Sequence, residues 1–265
     1  MSHITVNGVS LYYEDVGSGP ETLVFSHGLL MSGEMFSAQV EALRGRFRCV
    51  CYDHRGQARS EVTASGYDMD TLADDAIALI EGLGCAPCHF VGLSMGGFVG
   101  MRLAIKRPDL LKSLALMETS ADPEPNENKA PYRTLAFIGR WLGFRPVTGR
   151  LMGIMFGRTF LQDPEKADAR ARWRRHLLGL GRTGTARAAH GVIDRQGVYE
   201  QLGSITTPTL IVVGDEDIAT VPARSERMHR AIPDSKLVVI PGAGHSSCIE
   251  QPDAVTRALQ DFLPD

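Results

Sequence analysis

Apolar and polar positions along this chain fall into two alternating rhythms. Short apolar runs bounded by Gly, Pro, Asn or Asp read as strands, and longer stretches with apolar residues every three to four positions read as amphipathic helices. HITVNG and SLYYEDVG form an opening pair, with Asn7-Gly8 as the hairpin turn because these two residues accept the positive φ such a turn needs. TLVFS is a strand ending at His27-Gly28, MFSAQVEALRG a helix closed by Gly45, and FRCVCYD the next strand. DMDTLADDAIALIEGLG predicts an amphipathic helix, acidic at its start and ended by Gly82 and Gly84. CHFVGLS is a strand, MGGFVGMRLAIKRP a helix stopped near Pro108, and LLKSLALME another strand.

The rhythm changes after Glu118. The stretch from Ala121 to Tyr199 is helical in character, rich in Arg and punctuated by prolines, and no segment of it reads as a strand. Alternation resumes with PTLIVVGDED, the helix ARSERMHRAI, the strand KLVVIPG and the final helix PDAVTRALQDFL. The whole is an α/β pattern, a mostly parallel, eight-stranded sheet flanked by helices. Residues 1–120 and 200–265 are expected to form its core domain. Residues 121–199, which leave the sheet and return to it, are expected to be a helical cap.

Composition narrows the function classes. The 265 residues, 43% hydrophobic and 22% charged, suit a globular core without disulfide or metal staples. A net charge of −3 argues against a general nucleic-acid binder. No run approaches the ~18 apolar residues of a membrane span, and the N-terminus lacks a basic and then apolar leader, so no membrane partner and a cytoplasmic location are expected. Cys85-Ala86-Pro87-Cys88 has the spacing of a redox or metal pair. It sits between helix and strand and not at a helix N-terminus that would stabilise a thiolate, and no second pair completes a zinc site. Nothing in the chain calls for a metal, nucleotide or flavin.

The candidate chemistry lies where strands end. Gly92-Leu93-Ser94-Met95-Gly96 fits G-x-S-x-G, a strand turning sharply into a helix with the serine at the tip and glycines making room. A serine hydroxyl needs a base within reach. His245, on the loop after the last strand, is best placed for that role, and His54, at another strand end, is its rival. An acid to orient the histidine is offered by Asp215, Glu216 and Asp217 after PTLIVVG, with Glu118 one strand earlier as a further rival. Spacing does not choose among the first three. Gly28 lets the Leu29 N–H turn toward a reacting carbonyl, where with the Met95 N–H it would form a two-donor oxyanion hole, His27 bracing the loop.

Taken in order, HG, D-x-R-G, GLSMGG, G-x-x-D and GH resemble the α/β-hydrolase superfamily along the whole core. The chain is most similar to the small bacterial branch of carboxylesterases, 3-oxoadipate enol-lactonase-like lactonases and non-haem haloperoxidase-like perhydrolases. The resemblance implies that the acid is the last position of G-x-x-D, here Asp217. One loop departs from it, with Gln57 and Ala58 where relatives usually carry His and Gly. The expected activity is hydrolysis of a small, fairly hydrophobic ester or lactone through an acyl-enzyme on Ser94. Ser94 disfavours dehalogenase and epoxide-hydrolase relatives, which place Asp there. A C–C hydrolase, thioesterase or perhydrolase would use the same triad, and a non-enzymatic receptor on this fold is the alternative class.

The cap carries 12 Arg and 2 Lys against 7 acidic residues, an excess read mainly as solvated helix faces. Its apolar residues are read mainly as packing, with Trp141, Met152 and Phe156 expected on the substrate pocket.

Overall fold

Asn7 and Gly8 take φ of 46° and 71°, which reverses the chain between β1 (Ser2–Val6) and β2 (Val9–Val16). The computed structural model describes residues 2–264. The strands β3 (Glu21–Ser26), β4 (Phe47–Tyr52), β5 (Cys88–Leu93), β6 (Leu111–Met117), β7 (Thr209–Gly214) and β8 (Lys236–Ile240) follow. They form one eight-stranded sheet in the order β1-β2-β4-β3-β5-β6-β7-β8. The first two pairings are antiparallel and the rest parallel, so the sheet is mostly parallel and opens on a hairpin, as the sequence predicts.

The central strands are apolar throughout because both faces are covered. Successive residues split between two cores: Val24, Phe90, Leu114 and Ile211 pack on one face, while Phe25, Val91, Ala115 and Val212 pack on the other. The helices between strands are α1 (Ser37–Leu43), α2 (Met69–Gly82) and α3 (Met95–Lys106). Asp68 caps α2 by accepting from the Thr71 N–H at 2.9 Å, and α2 buries Leu72, Ala76 and Leu79 against α3 and the sheet. The helix expected from Met35 begins with a 3-10 turn, Gly33–Phe36, before α1.

Between β6 and β7 the chain makes five helices: α4 (Asn126–Leu142), α5 (Thr148–Met155), α6 (Arg158–Gln162), α7 (Ala167–Leu178) and α8 (Arg182–Ile193). The described residues of this stretch contain no strand. After β7 come α9 (Pro222–Ala231), the short α10 (Ser247–Glu250) and α11 (Pro252–Gln260). Because β3, β5, β6, β7 and β8 run parallel, the loops that follow them gather at one edge of the sheet. That edge is where the site lies.

Candidate active site

Ser94 stands between β5 and α3 with φ 54° and ψ −109°, a conformation that costs of order 1–3 kcal/mol for a residue with a side chain. The surroundings impose it. A Cβ on Gly92 would lie 2.2 Å from the Gly96 carbonyl oxygen, and one on Gly96 2.0 Å from that of Ser26, so neither position accepts a side chain. The Ser94 N–H donates to the Met117 carbonyl at 2.8 Å, and the Thr119 hydroxyl donates to the Ser94 carbonyl at 2.8 Å. These bonds hold the turn to the end of β6.

Ser94, His245 and Asp217 are brought together although 151 and 28 residues separate the successive pairs. Ser94 Oγ lies 2.8 Å from His245 Nε2, and His245 Nδ1 lies 2.9 Å from Asp217 Oδ2 and 3.1 Å from Oδ1. Asp217 also accepts from the N–H groups of Ala219 at 2.8 Å and Thr220 at 3.1 Å, and from the Thr220 hydroxyl at 2.8 Å. Burial works to raise its pKa. The adjacent imidazole and these donors outweigh burial and hold the carboxyl below the usual carboxylate range, hence ionised at neutral pH. An ionised acid at Nδ1 keeps the proton there and leaves Nε2 free to accept the serine proton.

The rivals are placed elsewhere. Asp215 accepts from the Gly242 N–H at 2.8 Å, and Glu216 accepts from the N–H and hydroxyl of Thr159 on α6, both at 2.7 Å. Glu118 is fully buried, and burial, with Asp217 and Glu250 nearby, drives its pKa well above the usual range. Ser247 and the Gly214 N–H lie near enough to favour its ionised form, but neither completes a hydrogen bond with its carboxyl oxygens. His54 is buried with Nε2 2.9 Å from Ser26 Oγ, and burial pushes its pKa well down.

The Leu29 and Met95 N–H groups make no hydrogen bond to a protein acceptor among the described residues, and Met95 opens α3, where the first amides have no partner in the helix. His27 braces the first of these loops: Nε2 accepts from the His54 N–H at 2.9 Å, which leaves Nδ1 to donate to the Gly28 carbonyl at 2.7 Å. Gln57, at the departing position of the D-x-R-G loop, accepts from the Leu30 N–H at 3.0 Å and donates to Met95 Sδ at 3.7 Å. One buried amide thus ties both arms of the candidate oxyanion hole. From the cap, His176 Nε2 reaches the Leu30 carbonyl at 3.0 Å.

A cavity of about 120 Å³ opens over Ser94 and His245. Its walls are mostly apolar, with Leu29 and Phe98 from the loop after β3 and from α3, and Phe144, Leu151, Ile154 and Met155 from the helical segment between β6 and β7. The expectation for Trp141, Met152 and Phe156 is corrected here, since none of the three lines it. Trp141 is 61% exposed on the outer face of α4, beside Phe137 and under the Arg140 guanidinium. Met152 and Phe156 are buried in the hydrophobic cluster on one face of the sheet, Phe156 stacked on Phe160 at 4.9 Å. The cavity takes its walls from positions a helical step away, a rotation that composition does not reveal.

Sequence reasoning also missed Glu250. Its Oε2 accepts from the N–H groups of Gly157 at 2.8 Å and Gly244 at 3.0 Å, and its Oε1 from that of Ser246 at 3.0 Å. Both neighbours of His245, and Gly157 between α5 and α6, hang on this carboxylate. The Cys85–Cys88 pair is buried, and burial raises both thiol pKa values, so neither is an activated thiolate. No described helix is long and apolar enough to cross a membrane.

Known proteins resemble this chain over nearly its whole length. The family described as "alpha/beta hydrolase fold" matches residues 21–252. A curated relative, the putative carbamate hydrolase RutD of a Caulobacter species, is 28% identical, with 98% of this chain and 97% of that one covered. A thermophilic esterase from Thermogutta terrifontis superposes with a TM-score of 0.92 at 31% identity, covering 99% and 98% of the two chains. The enol-lactonase from Burkholderia xenovorans superposes with a TM-score of 0.92 at 28% identity over the full length of both.

Proposed function

Since the chain belongs to the α/β-hydrolase fold family, we propose that this hydrolase cleaves a carboxylic ester or lactone of a small, fairly hydrophobic substrate through an acyl-enzyme on Ser94. The observation that carries the proposal is the continuous hydrogen-bonded chain Ser94–His245–Asp217 opening into an apolar cavity. Ser94 Oγ attacks the carbonyl carbon while His245 Nε2 takes its proton. The oxyanion points to the Leu29 and Met95 N–H groups. His245 then returns the proton to the leaving alkoxide, and the ester bond breaks. Water, deprotonated by His245, attacks the acyl carbon and frees Ser94. With a lactone the released alcohol stays attached to the acyl chain. Asp217 remains ionised throughout and offsets the imidazolium charge.

The cavity volume supports a small acyl group, being close to the roughly 150 Å³ that admits benzene in an engineered cavity. Residues 121–199 act in this reading as a lid, since α4, α5 and α8 supply much of the cavity wall. The named activities of the Thermogutta and Burkholderia proteins favour ester and lactone substrates over the C–C, thioester and peracid chemistry the same triad would support.

The test is a panel of p-nitrophenyl esters and lactones scored by kcat/KM, with Ser94→Ala alongside. The variant is expected to keep its fold and lose turnover by several orders of magnitude, and a fluorophosphonate probe to label Ser94 alone. No turnover of any panel member by the parent protein, with small ligands still bound, would favour a receptor.

A further inference from the structure

One part of the cavity wall is charged and incompletely bonded. Arg195, past the end of α8, is buried with its side chain 3% exposed, and its guanidinium lies over the Phe98 ring at 4.3 Å. Its Nε donates to the Asp122 carbonyl at 3.2 Å, and its Nη1 donates to Glu124 Oε2 at 2.7 Å and to the Val192 carbonyl at 2.9 Å. Nη2 has no acceptor among the described residues. It is also absent from the fully enclosed polar atoms that lack partners, so it faces open space, and Arg195 borders the cavity. Tyr132, on α4, borders the cavity too, and its hydroxyl makes no hydrogen bond with the described residues. Glu124 is otherwise occupied, its Oε1 accepting from Asn128 at 2.8 Å.

A buried guanidinium with two free N–H groups is costly unless something accepts from them. The two Nη2 N–H groups are therefore donors that the protein leaves open to whatever occupies the cavity. Charge decides which kind of acceptor suits them. Glu124 already neutralises Arg195, and the Asp122 carboxylate is taken by Arg224 at 2.9 Å and Arg227 at 3.2 Å. A second carboxylate at Nη2 would sit beside that of Glu124 in a medium of low polarity, where like charges repel strongly. A neutral carbonyl oxygen satisfies the donors without that penalty. Phe98, whose ring lies under the guanidinium, is one turn beyond Ser94 at the start of α3, about 6 Å along the helix axis, so the open donors border the same cavity as Ser94 but away from its hydroxyl.

We propose that Arg195 and Tyr132 form a subsite for a neutral carbonyl oxygen on the acyl chain, a few carbons beyond the scissile carbonyl, so that the substrate class is oxo-acyl esters or lactones. This deepens the hydrolase reading and rests on it for catalysis. The subsite itself is a matter of binding.

The test compares p-nitrophenyl 5-oxohexanoate, p-nitrophenyl hexanoate and the mono-p-nitrophenyl ester of glutaric acid. A hydrogen bond from the charged guanidinium to the oxo oxygen predicts a preference of roughly tenfold or more in kcat/KM for the oxo ester over hexanoate. The double variant Glu124→Gln/Arg195→Met, which leaves no lone buried charge, is expected to bring the ratio to about one by lowering kcat/KM for the oxo ester relative to hexanoate. Tyr132→Phe, which removes only a hydroxyl, is expected to reduce the ratio and covers the case in which the double variant does not fold. Binding of ethyl 5-oxohexanoate and ethyl hexanoate to Ser94→Ala, measured by calorimetry, gives a readout independent of turnover. Equal rates and equal binding for the oxo and plain esters overturn the proposal, as does a preference for the glutarate ester. Preferential binding of the oxo ester without turnover by the parent protein would overturn the hydrolase reading and leave the subsite standing.

Discussion

Replacing Glu250 by Gln converts a titrating clamp into a fixed one. Burial pushes the Glu250 pKa up to about 7, against its three backbone donors and the His245 imidazole, which favour the ionised form. In the unfolded chain the carboxyl titrates near 4.5. Between these values the folded protein holds a proton that the unfolded chain has lost. The stability Glu250 contributes is therefore fully present below about pH 4.5 and is lost as pH rises through about 7. A gap of about 2.5 pH units corresponds to about 3 kcal/mol. Gln resembles the protonated acid in charge, so near pH 4.5 the two proteins should differ only by the Ser246 hydrogen bond, and above it the difference should move with pH. Between pH 4.5 and 8 the variant should gain about 3 kcal/mol on the parent, or roughly 6–12 °C in Tm at 2–4 °C per kcal/mol. Glu118, raised by burial and in part by Glu250, loses that part of its shift in the variant, which acts in the same direction as the loss of the Glu250 titration. Stability and activity should part at this residue. Gln keeps the bonds from Gly157 and Gly244 but turns an NH2 toward the Ser246 N–H, loosening the peptide next to His245, so kcat at pH 8 should fall several-fold. The assay is urea and thermal unfolding of both proteins from pH 4.5 to 8, with kcat measured on the same preparations. Parallel stability curves across that range would refute the reasoning.

Asp217→Asn should lower kcat by about 10⁴ by losing the charge that fixes the His245 tautomer, whereas Glu118→Gln, isosteric with a neutral acid, should stay within a few-fold of the parent. Stopped-flow or steady-state turnover, with unfolding curves as a control, checks both. Met155→Ala enlarges the cavity and should shift kcat/KM between short and long acyl esters by about tenfold, while Trp141→Ala, on the outer face, should leave that ratio within about twofold. Gly96→Ala would place a methyl carbon 2.0 Å from the Ser26 carbonyl oxygen, so a lowered Tm and loss of fluorophosphonate labelling are expected.

Much of this protein is written locally. Strand and helix periods, the Asn7-Gly8 turn and the glycines around Ser94 act through neighbours in the chain, and they specify the elements, their alternation and the strained turn without reference to anything distant. Loop position at one sheet edge likewise brought Ser94, His245 and the acidic loop into consideration, because parallel strands send their following loops to the same side. Tertiary structure decided the rest. Which of Asp215, Glu216 and Asp217 meets His245 depends on side-chain directions within one turn, and the same turn sends Glu216 to α6 instead. Which face of the cap looks inward depends on how α4, α5 and α8 are rotated as they dock, so Met155 lines the cavity while Trp141 faces out. Gln57, Glu250 and the Arg195–Glu124 pair carry no local signature at all. Each acts on partners dozens of residues away or on backbone amides, whose positions exist only once the chain has folded.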